Sequence, residues 1–348
     1  MSVRAFKYLS PLILYAGAYH AFSARGWTIW LPLLYAWVLI PLAELLIRPD
    51  PSNLEAAEEQ LAREDRTYDV ILYLVVLAQY AALVQFLYGM FRDRLAWPEA
   101  VGRIWVMGLL CGTFGINVGH ELGHRTGRFE QVLARMLLLT SLYMHFFIEH
   151  NRGHHKRVAT PEDPSSARYG EWIYAFYLRT VWGSYRSAWE IAGREQRRKG
   201  RPVFSLHNEM IQYHLIEAAL VLLIGIVAGW QVMLCFVAAA GIGILLLETV
   251  NYIEHYGLRR RALGEGRYER AQPWHSWNSD HVIGRLMLFE LCRHSDHHYQ
   301  ASRKYQVLRH HPQAPQMPTG YPGMMMLALF PPAWFYVMNP RVRRLQEA

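Results

Sequence analysis

Six stretches of this chain hold 17–22 mostly apolar residues each: 6–22, 27–47, 70–91, 101–118, 211–228 and 232–253. A helix needs about 20 such residues to cross a bilayer. In hydrocarbon the backbone must satisfy its own polar groups, which such single runs achieve only as helices. The expectation is an all-α integral membrane protein with six transmembrane helices, forming a single membrane-embedded domain over residues 1–348. Mean hydropathy is close to zero only because these runs are averaged with strongly polar segments. The turn between the first two runs holds Ser23, Arg25 and Gly26, and that between the last two is little more than Gly229-Trp230, so both pairs read as helical hairpins. Arg4 and Lys7 precede the first run and no small-residue cleavage site follows it. The N-terminus therefore reads as a retained first span and not as a secretory signal.

The polar segments carry histidine in clusters. They are His120-Glu121-Leu122-Gly123-His124, His150-Asn151-Arg152-Gly153-His154-His155, His255 in Asn-Tyr-Ile-Glu-His-Tyr-Gly, and His294, His297 and His298 in LCRHSDHH. On a helix, His297 lies about 60° to one side of His294 and His298 about 40° to the other. His120 and His124 stack at i, i+4, as do His150 and His154. Neutral imidazole suits iron, copper, zinc and nickel alike, so the ligands do not choose the metal. A surface cluster would explain the last triplet taken alone. Four clusters, two of them beginning where an apolar run ends, point instead to nine histidines around one centre. Nine are too many for one ion, since a tetrahedral site takes four. Two ions with four or five imidazoles each is the natural division, and the neighbouring pairs His154/His155 and His297/His298 can each serve different ions. Of the other eight histidines, His275 and His281, which flank Trp277-Asn278-Ser279-Asp280, are the ones expected to sit near the site.

A further apolar run, 132–148, has histidine clusters at both ends. If both clusters bind one centre, this run cannot cross the membrane, and an interfacial, re-entrant or buried helix is expected. Charge agrees. With the N-terminus inside and six spans, all but four of the 36 Lys and Arg fall on the cytoplasmic side, the exceptions being Arg25, Arg92, Arg94 and Arg103. That is the asymmetry of the positive-inside rule. It places the histidines at the cytoplasmic boundary, within two cytoplasmic parts, 120–212 and 255–348. Residues 169–191 are rich in Trp and Tyr and are expected to lie as helices in the interface. The basic run 194–201 is either a solvated or lipid-touching loop or a docking surface for an acidic partner. Residues 324–330 are too few to span.

Two divalent ions on neutral rings call for carboxylates, and a ligating histidine usually gives its other N–H to one. Glu121, Glu149, Glu254, Asp280 and Asp296 lie next to or near the clusters in sequence. Glu248 lies seven residues before His255, two helical turns away at membrane depth, where an ionisable residue is a functional candidate. Cys111, Cys235 and Cys292 form no C-x-x-C, which argues against a disulfide framework, an iron–sulfur site or a cysteine zinc site.

HELGHR, EHNRGHHKRVATPEDP, NYIEHYG and LCRHSDHH, with PTGYPG at 318–323, resemble the histidine boxes of the membrane-bound alkane 1-monooxygenases. The likeness covers nearly the whole chain. The spacing of the boxes alone is shared with fatty-acyl desaturases and sterol-type hydroxylases; NYIEHYG and RHSDHH narrow it. The resemblance implies a non-haem di-iron centre of two iron ions on the cytoplasmic side, held by His120, His124, His150, His154, His155, His255, His294, His297 and His298. It implies O2 as co-substrate and terminal hydroxylation of a medium- or long-chain n-alkane taken from the bilayer. It further implies electrons from rubredoxin, itself reduced by an NADH-dependent reductase, and a place in the bacterial inner membrane with both termini cytoplasmic. The formal charge of +8 would draw an acidic rubredoxin inward, and no nucleic-acid partner is expected. The chain carries no rubredoxin, flavin or haem-thiolate signature of its own. An alkane offers no polar handle, so a narrow apolar tunnel must select its end, with Trp37 a candidate for setting the depth. Two alternatives stand beside this reading. One is a desaturase or hydroxylase of acyl lipids, which keeps the fold and changes the substrate. The other is a metal transporter, whose site would sit nearer the bilayer midplane.

Overall fold

Runs of Leu, Val, Ile, Ala and Phe leave the backbone no partner but itself, and the chain responds by folding almost wholly into helices. A computed structural model describes residues 3–347. Among them the one sheet is a two-stranded hairpin, Ala262–Gly264 against Arg267–Tyr268. Five helices are long and apolar enough to cross a membrane: Gly26–Leu46, Thr67–Arg92, Trp97–Gly123, Glu209–Ala228 and Trp230–His255. They coincide with five of the six expected spans. Two of them run past their expected cytoplasmic ends, so that His120 sits in the last turn of one and His255 is the final residue of the other. The first expected span, 6–22, differs. It is a 3₁₀ segment, Val3–Leu9, then a turn at Ser10 and Pro11, then a 12-residue helix, Leu12–Ser23. Neither piece alone reaches the length of a span.

Two spanning helices contain π-helical segments, Tyr35–Leu39 and Cys111–Ile116. The 132–148 run is not one helix. It ends the helix Arg128–Leu139, turns at 140–145 with Leu142 at φ 49°, and resumes as Phe146–Glu149. Residues 169–191 contribute to a single 26-residue helix, Ile173–Arg198, which leaves Leu178 and Trp182 exposed. The 324–330 run falls mostly in a short helix, Tyr321–Ala328.

The chain divides into two compact units. The first comprises Met1–Tyr35, Arg66–Asn151 and Tyr185–Leu247; the second comprises Ala36–Asp65, Arg152–Ser184 and Glu248–Ala348. In the first, glycines let helices approach closely, the usual device where no water drives association. A Cβ on Gly108 would lie 2.6 Å from Ile242 Cβ and 3.1 Å from the Ala239 carbonyl oxygen, and one on Gly112 3.1 Å from that of Gly243. Buried polar groups tie the same unit: Tyr15 donates to Gln79 Oε1 at 2.8 Å and Gln79 Nε2 donates to Thr140 Oγ1 at 3.2 Å. Gly108→Val should therefore force Trp97–Gly123 away from Trp230–His255 at a cost of about 1–3 kcal/mol. Thermal unfolding in detergent checks this, and an unchanged midpoint would show that the contact is loose.

In the second unit, the segment after Trp230–His255 is irregular and held by many backbone bonds. Trp277 N donates to the Glu254 carbonyl at 2.8 Å, Trp277 Nε1 to that of Tyr256 at 2.9 Å, and Ser279 N to that of Cys292 at 2.9 Å. Arg293 donates to the carbonyls of Leu308 at 2.8 Å and Ser52 at 2.7 Å. This lattice fixes the short helix His294–Tyr299, which carries the last three histidines; the rest of 291–308 is not a continuous helix.

Candidate metal centre

Four histidines of the second unit meet. His154, His255, His294 and His298 each offer a ring nitrogen, and these atoms all lie within 4.8 Å of one another. All four residues are buried. Nε2 of His154 is 3.2 Å from Nε2 of His298, and Nε2 of His255 is 3.2 Å from Nε2 of His294. Two nitrogens bound at about 2.1 Å to one ion, at 90–110° to each other, are about 3.0–3.4 Å apart. The observed spacing is that of ligands around a single ion. Burial, with the His294, His155, His154 and His255 rings nearby, holds His298 well below the ordinary imidazole range, so it is neutral and able to ligate.

The His154 ring is oriented from behind. Its Nδ1 is 2.9 Å from Asp163 Oδ2, the same oxygen that accepts from Ser166 Oγ at 2.6 Å, while Ser165 N donates to Oδ1 at 3.2 Å. Burial alone would raise the Asp163 carboxyl, but the His154 ring and these hydrogen bonds overcome it and hold it below the usual range. An ionised Asp163 accepts a hydrogen bond from Nδ1–H and leaves the Nε2 lone pair for a metal, the usual arrangement behind a ligating histidine. Asp163 was not among the carboxylates chosen from sequence; its signal was its place in the Pro-flanked turn eight residues after His155.

The second unit also pairs His155 with His297, their Nε2 atoms 3.1 Å apart. In the first unit His120, His124 and His150 form a triad. Ring centroids are 4.7 Å apart for His120 and His124, and 4.3 Å for His120 and His150. His124 and His150 bring their Nε2 atoms to 3.1 Å. Phe146 stacks on His150 with centroids at 4.7 Å, shielding one face of the ring.

The carboxylates chosen from sequence take varied places. Glu254 reaches a ligand candidate directly: Oε2 is 3.1 Å from His294 Nε2, and Oε1 accepts from the Tyr321 hydroxyl at 2.8 Å. Glu121 pairs with Arg125 at 2.6 Å, and Glu149 accepts from Ser187 Oγ at 3.2 Å. Glu248 accepts from Thr180 Oγ1 at 2.9 Å and Asn251 Nδ2 at 3.1 Å. Asp280 precedes the last box and Asp296 lies within it, but they bond His310 and His311, each at 2.7 Å, and Asp296 also accepts from Arg303 at 3.2 Å. His275 and His281 do not join the four; His275 accepts from Gln272 N at 2.9 Å, and His281 lies 3.0 Å from Ser279 Oγ. Trp37 is half-buried in the π-helical segment Tyr35–Leu39.

Comparison with known proteins narrows the chemistry. The fatty acid desaturase family pattern matches residues 95–328. Alkane 1-monooxygenase 2 of Pseudomonas aeruginosa is 42% identical over 90% of this chain and 84% of its own length. Alkane 1-monooxygenase 1 of Alcanivorax borkumensis is 40% identical over 92% of this chain and 80% of its own. A more distant relative, the xylene/toluene monooxygenase hydroxylase component of Pseudomonas putida, is 29% identical over 97% of this chain and 88% of its own.

Proposed function

The chain belongs to the fatty acid desaturase family and within it to the alkane 1-monooxygenases, and on that premise we propose that it hydroxylates medium- or long-chain n-alkanes at their terminal carbon at a centre of two irons. The observation that carries the reading is the buried set His154, His255, His294 and His298, with Asp163 behind His154. These four hold one iron. The resemblance assigns all nine histidines to the two irons, which leaves His120, His124, His150, His155 and His297 for the other. Local backbone supports that division. Residues His150–His154 are π-helical, and the i to i+5 spacing of a π turn aligns His155, not His154, with His150.

The overall reaction takes one alkane, one O2, two electrons and two protons to one 1-alkanol and one water. The irons, when bound, supply the activation of O2 and the oxidation of the C–H bond. The chain's own groups do the rest. Asp163 fixes the His154 tautomer, Tyr321 holds Glu254 beside the His294 Nε2 that the iron would use, and burial of the four rings keeps bulk water away. An alkane presents nothing to hydrogen-bond, so regioselectivity falls to apolar walls from the spans, and Trp37 is the residue proposed to limit depth. The electrons come from rubredoxin and its NADH-dependent reductase, for which the basic run 194–201 offers complementary charge. The whole chain acts as one catalytic domain in the inner membrane with both termini cytoplasmic. Six spans are proposed: at about 2.0 Å per 3₁₀ residue and 1.5 Å per α residue, Val3–Ser23 reaches about 30 Å if its two pieces are collinear.

Product analysis tests this. The protein in lipid receives rubredoxin, its reductase, NADH, O2 and a mixture of n-alkanes and fatty acids. A 1-alkanol is the expected product. A desaturated or hydroxylated acid beside untouched alkanes would move the protein to the acyl-modifying branch of the family.

A further inference from the structure

Glu44 is a carboxylate in the spanning helix Gly26–Leu46, and it is 2% exposed. An ionisable group buried this completely is costly and is kept for a reason. Among the described residues no arginine or lysine pairs with it. Its partners are the starts of two short helices. Oε1 accepts from Gly284 N at 2.7 Å, in the first turn of Val282–Met287, where N–H groups lack helical partners. Oε2 is buried without a hydrogen-bond partner and lies against Gly320, the residue that opens Tyr321–Ala328. Both contacts need glycine. A Cβ on Gly284 would sit 2.8 Å from Oε1, and one on Gly320 would overlap the carboxylate.

Both helices lead to His294. After Val282–Met287 the chain turns directly into the helix that begins at His294, and Gly284 packs 3.7 Å, measured from a Cβ built on it, from Cys292 Sγ. Gly320 precedes Tyr321, whose hydroxyl bonds Glu254, whose other oxygen lies 3.1 Å from His294 Nε2. We propose that Glu44 is a positioning residue for the four-histidine iron: it bonds one helix start and packs against the other, and so fixes both the backbone that carries His294 and the Tyr321 hydroxyl that holds Glu254 beside the same centre. The inference rests on the two-iron reading above. It assigns Glu44 to one iron and not the other.

The test compares wild type, Glu44→Gln, Glu44→Ala and Gly320→Ala, purified in lipid, by iron content, Mössbauer spectrum and alkane kinetics. In Glu44→Ala and Gly320→Ala one iron signal should change or vanish while the other stays as in wild type. Turnover should fall by about 10–100-fold, the usual range for groups that orient ligands, with KM for the alkane unchanged. Glu44→Gln keeps an oxygen for Gly284 N and should recover the second iron with an altered signal. Both signals unchanged in folded Glu44→Ala, or both lost in equal measure, would overturn the proposal. If Glu44→Ala does not fold, Glu44→Gln decides, and a spectrum identical to wild type overturns it. A wild-type protein without two irons would remove the two-iron reading itself, and this proposal with it.

Discussion

Replacing His255 with alanine is expected to take the iron content from two per chain to about one and to lower alkane hydroxylation by more than about a hundredfold, beyond the range seen for groups that only orient ligands. His255 is the last residue of Trp230–His255, it is fully buried, and its Nε2 faces His294 Nε2 at 3.2 Å. Alanine leaves three imidazoles and an open position, and the backbone bonds around His294 keep that ring from shifting to fill it. Helix length and membrane insertion do not depend on the ring, so the variant should reach the membrane in normal amount. Metal analysis and product formation read the two effects separately. Full retention of both would exclude His255 from the ligand set.

The second large effect is expected at Asp163. Asp163→Ala should weaken iron retention or turnover by about 10–100-fold. Without the carboxylate, His154 Nδ1 loses its acceptor and the ring is free to take the wrong tautomer or rotate. Ser166 Oγ and Ser165 N lose theirs as well, so the turn at 159–167 should loosen. Asp163→Asn separates the contributions. The amide oxygen can still accept from Nδ1, but the negative charge is gone, so retention should be closer to wild type than in Asp163→Ala. Equal and complete loss in both would point to the charge as the decisive part. Wild-type iron and turnover in Asp163→Ala would reduce the residue to a loop tie.

These residues show what a sequence can and cannot disclose. Five spans were legible because a run of about 20 apolar residues has few other fates. The structure of 3–23 was not, since Pro11 and a 3₁₀ start interrupt a run whose composition alone looks continuous. Nor were the π-helical segments, which leave no mark on hydropathy. The histidines stood out because box spacing is a local property. The carboxylates that serve them are harder to read. Glu121, Glu149 and Asp296 each follow or precede a histidine, yet adjacent residues on a helix point about 100° apart. A partner for a ligand therefore tends to come from another stretch, as Asp163 comes to His154 and Glu254 to His294. Glu44 is separated from Gly284 by 240 positions. Its one local signal, a lone acid inside an apolar run, is the same signal that singled out Glu248.

The most direct measurement is the metal content and X-ray absorption of the purified protein in lipid after growth on iron. The account predicts two irons per chain and a coordination sphere of nitrogen or oxygen with no sulfur, with metal–nitrogen distances near the 2.1 Å typical of imidazole. Its Mössbauer spectrum should show two unequal sites, one with four histidines and one with five. A single iron, a zinc ion in its place, or two identical sites would contradict it.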